Sequence, residues 1–124
     1  TLGILGGGQL GRMLQEIALT YGVELNFLDS DIKAPCSIFK NNFVHGSYKD
    51  FDATIQFGKE KHILTIEIEH INIDALEQLS KYDIEVIPSV DCIRMVKNKA
   101  LQKQFYLDHN IPTSSFEVID SVLF

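Results

Sequence analysis

The sequence contains little cysteine and proline, no tryptophan and no long apolar run. Its two cysteines, Cys36 and Cys92, match no zinc-binding or redox spacing. Such distant cysteines are more typical of reduced thiols than of a disulfide, so we expect a cytoplasmic protein. Because no stretch of about 18 apolar residues occurs, we expect no membrane-spanning helix. The short segment before the first glycines leaves no space for a signal peptide, and we expect none.

Basic residues are scarce relative to acidic ones. Lysine and arginine number 11 against 17 aspartates and glutamates, which gives a formal net charge of −6 and a pI of about 5.1. This balance argues against a surface that coats nucleic acid. Hydrophobic residues make up 45% of the 124-residue sequence, which is typical of a soluble globular domain. A chain of this length buries roughly two thirds of its unfolded surface, so it can form a core without disulfides.

Apolar spacing alternates between strand-like and helix-like segments up to Pro88. A short apolar run at residues 2–5 predicts a buried strand. The spacing i, i+3, i+4, i+7, i+8, i+11 then predicts one face of a helix of about three turns, and it is formed by Leu10, Met13, Leu14, Ile17, Ala18 and Tyr21. Further strands are predicted at residues 23–28, 43–45, 62–68 and 85–87, with helices between them. This order predicts an α/β domain with a Rossmann-like doubly wound parallel sheet.

The glycine-rich segment at residues 6–11 reads GGGQLG and matches G-x-G-x-x-G between a predicted strand and a predicted helix. Gly8 removes a side chain where a ligand would approach, and the helix start offers free N–H groups to an anion, typically a phosphate. Asp29, at the end of the second strand, could hold a ribose hydroxyl. These features leave open an NAD-binding domain of an oxidoreductase or regulatory module. A tight turn without a ligand, with Asp29 as a solvated loop carboxylate, is the other alternative.

The acidic end of the fourth predicted strand is the second unusual feature. Alternation along a strand puts Glu67 and Glu69 on the same face. Ligands of open α/β sheets bind beyond the carboxyl ends of the strands, so we expect Glu67 to face the crevice beside the glycines. A carboxylate there suits sugar hydroxyls or an amine. A metal site of Glu67, Glu69 and His70 is less favoured, because His70 should point the opposite way, and we predict no metal site in this chain.

The character of the sequence changes after Pro88. Ser89 is a suitable N-cap for one long helix over residues 89–109, which is more polar than the preceding helices, and a further strand is predicted at residues 116–119. We therefore predict two parts. Residues 1–92 form the Rossmann-like, substrate-binding domain, and residues 93–124 begin a second, truncated domain.

Residues 3–14 read GILGGGQLGRML and closely resemble the start of N5-carboxyaminoimidazole ribonucleotide synthetases, the ATPase subunits of bacterial phosphoribosylaminoimidazole carboxylase. The similarity continues through Asp29, residues 34–36, residues 65–69, Pro88, residues 101–105 and residues 110–113. The resemblance implies a pre-ATP-grasp domain followed by the start of an ATP-grasp domain. It also implies a ligase that uses ATP, Mg²⁺ and bicarbonate to carboxylate 5-aminoimidazole ribonucleotide in de novo purine biosynthesis.

The resemblance further implies roles for individual residues. Gly8, Gln9, Leu10 and Glu67 would contact the ribonucleotide. Lys99 stands where relatives usually have an arginine near the ATP phosphates, so the ATP contact in this chain would be its ammonium group. Catalytic residues and Mg²⁺ ligands are expected after residue 124, so the isolated chain is expected to be inactive. Family members are often dimers, which implies a homodimer here.

Overall fold

The computed structural model describes residues 1–119, and these contain a five-stranded parallel sheet. The strands lie in the order β3-β2-β1-β4-β5, and each neighbouring pair is parallel. The predicted doubly wound α/β fold is confirmed. The strands are β1 (Leu2–Leu5), β2 (Leu25–Asp29), β3 (Phe43–His45), β4 (Ile63–Ile66) and β5 (Glu85–Val86).

Five α-helices accompany the strands within the described residues. Side-chain caps fix where four of them begin. Two of these caps are Asp50, whose Oδ1 accepts the N–H of Ala53 at 2.8 Å, and Asn72, whose Oδ1 accepts that of Ala75 at 2.9 Å. No helix in this part of the chain combines the length and apolar character needed to cross a membrane. The helices are α1 (Gln9–Thr20), α2 (Phe51–Gly58), α3 (Ile73–Leu79), α4 (Val90–Lys97) and α5 (Lys99–Asp108), with 3₁₀ turns at Pro35–Ile38 and Ser80–Tyr82.

The strand order changes direction between β1 and β4. From β1 the chain continues to β2 and β3 on one side, whereas β4 and β5 lie on the other. The loops that leave β1 and β4 therefore diverge, and a crevice opens at the carboxyl ends of these strands, where open α/β sheets bind ligands. Leu5 pairs with Ile66, so Gly6 and Glu67 follow at the same level on either side of this crevice.

Two hydrophobic clusters lie on opposite faces of the sheet, as strand alternation requires. Leu5, Leu28 and Leu64 belong to one cluster, which also contains apolar residues of α2 and α3. Ile4 and Phe27 belong to the other, which contains Ala18 of α1. The sheet is therefore packed on both faces, which fixes the positions of its strand ends.

Most of the predicted apolar stripe of α1 does not lie against the sheet, because Ala18 is the one buried residue of its six. Gly11 and Ala18 are among the buried residues of this helix, whereas Leu10 is 67% exposed and Ile17 58% exposed. Gly11 allows close packing, because a Cβ there would lie 3.2 Å from a ring carbon of Phe27. The spacing correctly predicts a helix, but its buried side consists of Gly11, Gln15 and Ala18, and its larger apolar residues form a surface of residues 1–119.

The prediction of one long helix over residues 89–109 is wrong, because α4 and α5 are separate helices that meet at Asn98. The backbone of Asn98 is extended, with φ −104° and ψ 105°. Its Oδ1 accepts the N–H groups of Ala100 and Leu101 at 3.0 and 3.2 Å and so caps α5. Asparagine favours such a cap over a helix interior. The predicted strand at residues 116–119 is also wrong, since these residues have no regular secondary structure.

Helix α4 packs on the sheet domain. Ile93 is 1% exposed and belongs to the hydrophobic cluster with α2 and α3. Arg94 forms ion pairs with Glu77 of α3 and with Asp91. The packed body thus continues to the end of α4, past the division predicted between residues 92 and 93. The two-part organisation stays a prediction, and residues 120–124 of the second part lie outside the described residues.

Candidate functional site

The glycine turn, residues 6–8, leads from β1 directly into α1. Gly6 has a φ of +105°, a conformation that favours glycine, and its N–H donates to the Leu28 carbonyl at 2.9 Å. Gly8 is the N-cap of α1, where no side chain caps the helix and the first turn holds no acidic residue. The free N–H groups and the partial positive charge of the helix start are therefore available to a group lying over the turn.

Glu67 follows β4 and places its carboxylate against the glycine turn. A Cβ on Gly6 would lie 2.8 Å from Oε2, and a Cβ on Gly8 would lie 2.6 Å from Oε1. The absence of side chains at these two positions is what permits the approach. The hydrogen bond that Glu67 makes within residues 1–119 comes from its backbone N–H, which donates to the Leu5 carbonyl at 2.8 Å. Both carboxylate oxygens therefore remain able to accept hydrogen bonds from a ligand.

Asp29 lies on the other side of the glycine turn, and its carboxylate accepts hydrogen bonds from backbone N–H groups. Its Oδ2 accepts the N–H of Gly7 at 2.6 Å and its Oδ1 accepts the N–H of Asp31 at 2.8 Å. The residue is only 9% exposed. Asp29 is thus neither the solvated loop carboxylate nor a side chain presented to a ribose, because its carboxylate supports the turn.

The two carboxylates decide which kind of ligand the glycine turn favours. In a dinucleotide-binding domain the pyrophosphate lies over the turn at the helix start. Here the carboxylate of Glu67 lies against Gly8, and that of Asp29 lies under Gly7. A phosphate over the turn would meet like charge, whereas N–H and O–H donors would find acceptors. This geometry disfavours the NAD-binding alternative.

Cys36 is a supporting residue that sequence reasoning missed. Its N–H donates to the Gly7 carbonyl at 2.9 Å, and its Sγ lies 3.6 Å from the Gly8 carbonyl oxygen. Burial, together with the nearby carboxylates of Glu67 and Asp29, raises the pKa of the Cys36 thiol to about 11. The thiol therefore stays protonated at neutral pH and can donate to Gly8. Spacing carried no signal for this contact, because the fold alone brings residue 36 to the turn.

A cavity of about 240 Å³ lies between α1 and β4, next to the glycine turn. Its walls are mostly apolar and include one carboxylate, which suits a small heterocycle that carries hydrogen-bond donors. Gln9, which precedes Leu10 in the first turn of α1, is exposed. The structure thus brings the predicted residues Gly8, Leu10 and Glu67 together, with Gln9 adjacent in the chain. The cavity is lined by Ile4, Leu10, Gly11, Leu14, Thr65, Ile66 and Glu67.

Other predicted or considered residues do not join this group. Lys99 is the first residue of α5, after the break at Asn98, and its Nζ lies 3.5 Å from Oε1 of Gln102 in the same helix. His70 Nε2 lies 3.9 Å from Glu69 Oε1. Within residues 1–119, no cluster of three or more histidine, cysteine, aspartate or glutamate side chains is arranged to hold a metal ion.

Comparison with known proteins links this geometry to one kind of domain. Residues 1–97 match a family profile described as the ribonucleotide synthetase preATP-grasp domain. The chain is 34% identical over 121 residues to a chloroplastic phosphoribosylaminoimidazole carboxylase from Vigna aconitifolia, covering 98% of this chain and 22% of the relative. It is 31% identical over 121 residues to an N5-carboxyaminoimidazole ribonucleotide synthase from Staphylococcus epidermidis, covering 98% of this chain and 32% of the relative.

A solved structure shares the fold and carries a ligand. The N5-carboxyaminoimidazole synthase from Aspergillus clavatus, in complex with ADP and 5-aminoimidazole ribonucleotide, matches with a TM-score of 0.82 and 37% identity, over 92% of this chain and 30% of that protein. The chain therefore spans about a third or less of the length of these relatives. The family match, the parallel sheet and the glycine turn beside Glu67 together establish that the chain belongs to the ribonucleotide synthetase preATP-grasp domain family, of which residues 1–97 form the domain.

Proposed function

We propose that the full-length protein is an ATP-dependent carbon–nitrogen ligase that joins bicarbonate to 5-aminoimidazole ribonucleotide, giving N5-carboxyaminoimidazole ribonucleotide for purine biosynthesis. The described domain binds the ribonucleotide through Gly8, Gln9, Leu10 and Glu67. The observation that carries this proposal is the carboxylate of Glu67, which lies against the glycine turn with both oxygens available and an apolar cavity beside it. The ribonucleotide complex of the Aspergillus clavatus relative supports the choice of ligand.

The chemistry of 5-aminoimidazole ribonucleotide fits the site. Its aromatic ring can pack on the apolar wall formed by Leu10 and Leu14. Its amine and its ribose hydroxyls can donate hydrogen bonds to the carboxylate of Glu67. In the carboxylation the amine nitrogen forms a bond to the carbon of the phosphorylated bicarbonate, the bond from that carbon to the phosphate oxygen breaks so that phosphate leaves, and the nitrogen loses a proton. A carboxylate that accepts an N–H of this amine orients the lone pair for attack. The phosphate of the ribonucleotide is directed away from the turn, because two carboxylates flank it.

ATP and Mg²⁺ belong to the part of the protein beyond the described domain. Residues 1–119 contain no cluster suited to a metal, so no step of the chemistry is assigned to Mg²⁺ bound here. When bound, ATP with Mg²⁺ supplies the phosphoryl group that activates bicarbonate. Lys99 is proposed to contact ATP. It keeps the charge of the family arginine but loses the bidentate geometry of a guanidinium. The homodimer and the cytoplasmic location remain predictions.

The test compares two variants of the full-length protein, in each of which one glutamate is replaced by glutamine. Glu67→Gln keeps the shape of the side chain and removes its charge, and we expect the KM for 5-aminoimidazole ribonucleotide to rise by about 10- to 100-fold, since a hydrogen bond to a charged acceptor contributes roughly 1.5–3 kcal/mol. The KM for ATP should change by less than about twofold. Glu69→Gln is the matched control, because the side chain of Glu69 points to His70. Formation of carboxylated product is measured at varied ribonucleotide and varied ATP.

Three results would count against the proposal. ATP hydrolysis that is independent of the ribonucleotide and yields no carboxylated product would remove the ligase activity. An unchanged ribonucleotide KM in Glu67→Gln would remove Glu67 from the site. Micromolar binding of NADH, followed by its fluorescence in this tryptophan-free chain, would revive the dinucleotide alternative.

A further inference from the structure

We propose that Asp29 and Cys36 form a clamp that positions the glycine turn for ribonucleotide binding without contacting the ligand. The clamp comprises the carboxylate of Asp29 and the backbone N–H and thiol of Cys36. The inference rests on the proposed function for its kinetic consequence, but the clamp itself is a property of this fold.

The clamp fixes both polar groups of Gly7. The N–H of Gly7 donates to Asp29 Oδ2 at 2.6 Å, and its carbonyl accepts from the N–H of Cys36 at 2.9 Å. The next carbonyl, that of Gly8, lies 3.6 Å from Cys36 Sγ. Consecutive peptide groups in the turn are thus bound from the same side. Their orientation sets where the first residues of α1, Gln9 and Leu10, begin.

The clamp and Glu67 lie on opposite sides of the turn. Asp29 ends β2 and Cys36 follows it in the Pro35–Ile38 turn, whereas Glu67 follows β4 on the other side of β1. A Cβ on Gly7 would lie 3.3 Å from Asp29 Cβ, while a Cβ on Gly8 would lie 2.6 Å from Glu67 Oε1. The turn therefore has little space on either side. If the clamp loosens, the distance between the helix start and Glu67 changes, and these are the two halves of the ligand site.

Both clamp residues are buried, which separates their role from that of a ligand contact. Asp29 is 9% exposed and Cys36 is fully buried. Both oxygens of Asp29 are already occupied by the N–H groups of Gly7 and Asp31. A carboxylate is needed because it offers two acceptors. An asparagine offers one oxygen, so one of the two backbone N–H groups would face an NH₂ group.

The main test is Asp29→Asn in the full-length protein, with Asp31→Asn as the matched control. Asp31 is exposed, and its carboxylate accepts the N–H of Lys33 within its own loop. We expect Asp29→Asn to raise the KM for 5-aminoimidazole ribonucleotide by about tenfold and to leave the KM for ATP within about twofold, because a hydrogen bond to a carboxylate is lost next to one substrate site only. Asp31→Asn should leave both values unchanged. A ribonucleotide KM within about twofold of the wild type, or an equal rise in both KM values, would overturn the proposal.

Hydrogen exchange tests the clamp independently of activity. In the full-length protein, Asp29→Asn should speed amide exchange at Gly7, read from peptides that cover residues 2–12, by about tenfold relative to Asp31→Asn. Exchange unchanged by Asp29→Asn would overturn the clamp. If the wild type fails to use the ribonucleotide, the proposed function fails, and faster exchange still supports the clamp.

If Asp29→Asn does not fold, Cys36→Ala replaces it. We expect a rise of about threefold in the ribonucleotide KM, and an unchanged value would refute the clamp.

Discussion

Individual side chains of the same type have different roles in this domain because their surroundings differ. Glu67 and Asp29 both lie against the glycine turn. Asp29 is buried and accepts two backbone N–H groups, whereas the carboxylate of Glu67 is free to accept from a ligand. The two cysteines differ in the same way, since Cys36 is buried and Cys92 is partly exposed. Burial and local donors, rather than residue type, therefore separate supporting residues from the proposed ligand contacts.

The cysteines give a prediction at the residue scale. At pH 8, we expect iodoacetamide to modify Cys92 at least about tenfold faster than Cys36, because Cys36 is buried and its pKa is raised to about 11, while the thiolate is the reactive form. Mass spectrometry of the labelled chain identifies the site. In the Cys92→Ser variant, labelling should require unfolding. Equal labelling rates for the two native cysteines would contradict the burial of Cys36.

The same pKa shift predicts how stability depends on pH. The thiol of Cys36 keeps its proton in the folded state up to about pH 11, whereas in the unfolded state it ionises near its ordinary value of 9.0. Between these values the unfolded state binds fewer protons, so the contribution of this group to stability is present below pH 9.0 and is lost as pH rises toward about 11. The free energy of unfolding falls by up to roughly 1.4 kcal/mol per pH unit through this group. Urea unfolding across this pH range measures the decrease, and the part due to Cys36 should be absent in Cys36→Ala.

At the scale of secondary structure, the site is made by two strand ends. β1 and β4 are neighbours that pair in parallel, yet they are far apart in sequence. Their loops diverge at the reversal of strand order, and the glycine turn and Glu67 meet in the crevice between them. Gly8 is needed here because a side chain at this position would meet the carboxylate of Glu67. Its backbone does not require glycine, since its φ of −74° is one that any residue can adopt.

This contact predicts a coupled effect of two substitutions. Gly8→Ala would bring a Cβ to 2.6 Å from Glu67 Oε1 and so displace the carboxylate, and we expect the KM for the ribonucleotide to rise by about tenfold. In a Glu67→Gln background the same change should add less than about twofold, because the displaced group no longer contributes. Additive effects in the full-length double variant would show that Gly8 acts independently of Glu67.

At the scale of the whole molecule, the proposed ribonucleotide site lies within one packed body. The packed body extends from β1 to the end of α4, and the chain then breaks at Asn98 before α5. This packed body coincides with the part of the chain that matches the family, residues 1–97. The apolar stripe of α1 remains a surface of residues 1–119, so the packing of this domain uses only part of its apolar residues.

The corresponding prediction concerns the isolated chain. The 124-residue chain, incubated with ATP, Mg²⁺, bicarbonate and 5-aminoimidazole ribonucleotide, should form no carboxylated product, because the family resemblance implies that the catalytic residues and the Mg²⁺ ligands follow residue 124. The full-length protein, assayed in parallel, is the positive control, and both are followed by chromatography of the product. Product formed by the chain alone would place catalytic groups within it.

The sequence by itself determined the fold class and the most specific part of the site. Alternating apolar periods predict parallel strands and helices, because burial on a sheet face and on a helix face imposes different spacings. The glycines between strand and helix mark the turn, and the position of Glu67 after β4 predicts its place in the crevice. These features are local, so neighbouring residues carry enough information to identify them.

Tertiary structure alone decided how the residues at the turn are used. The contacts of Gly7 with Asp29 and of Gly8 with Cys36 join residues that are distant in sequence, and no sequence pattern predicted either contact. The sequence likewise did not predict which side of α1 is exposed or where the helix breaks at Asn98. A helical pattern does not specify which face packs or where a side-chain cap ends one helix and begins the next. Periodicity reports the local backbone, whereas burial and the pairing of polar groups depend on which elements the fold brings together.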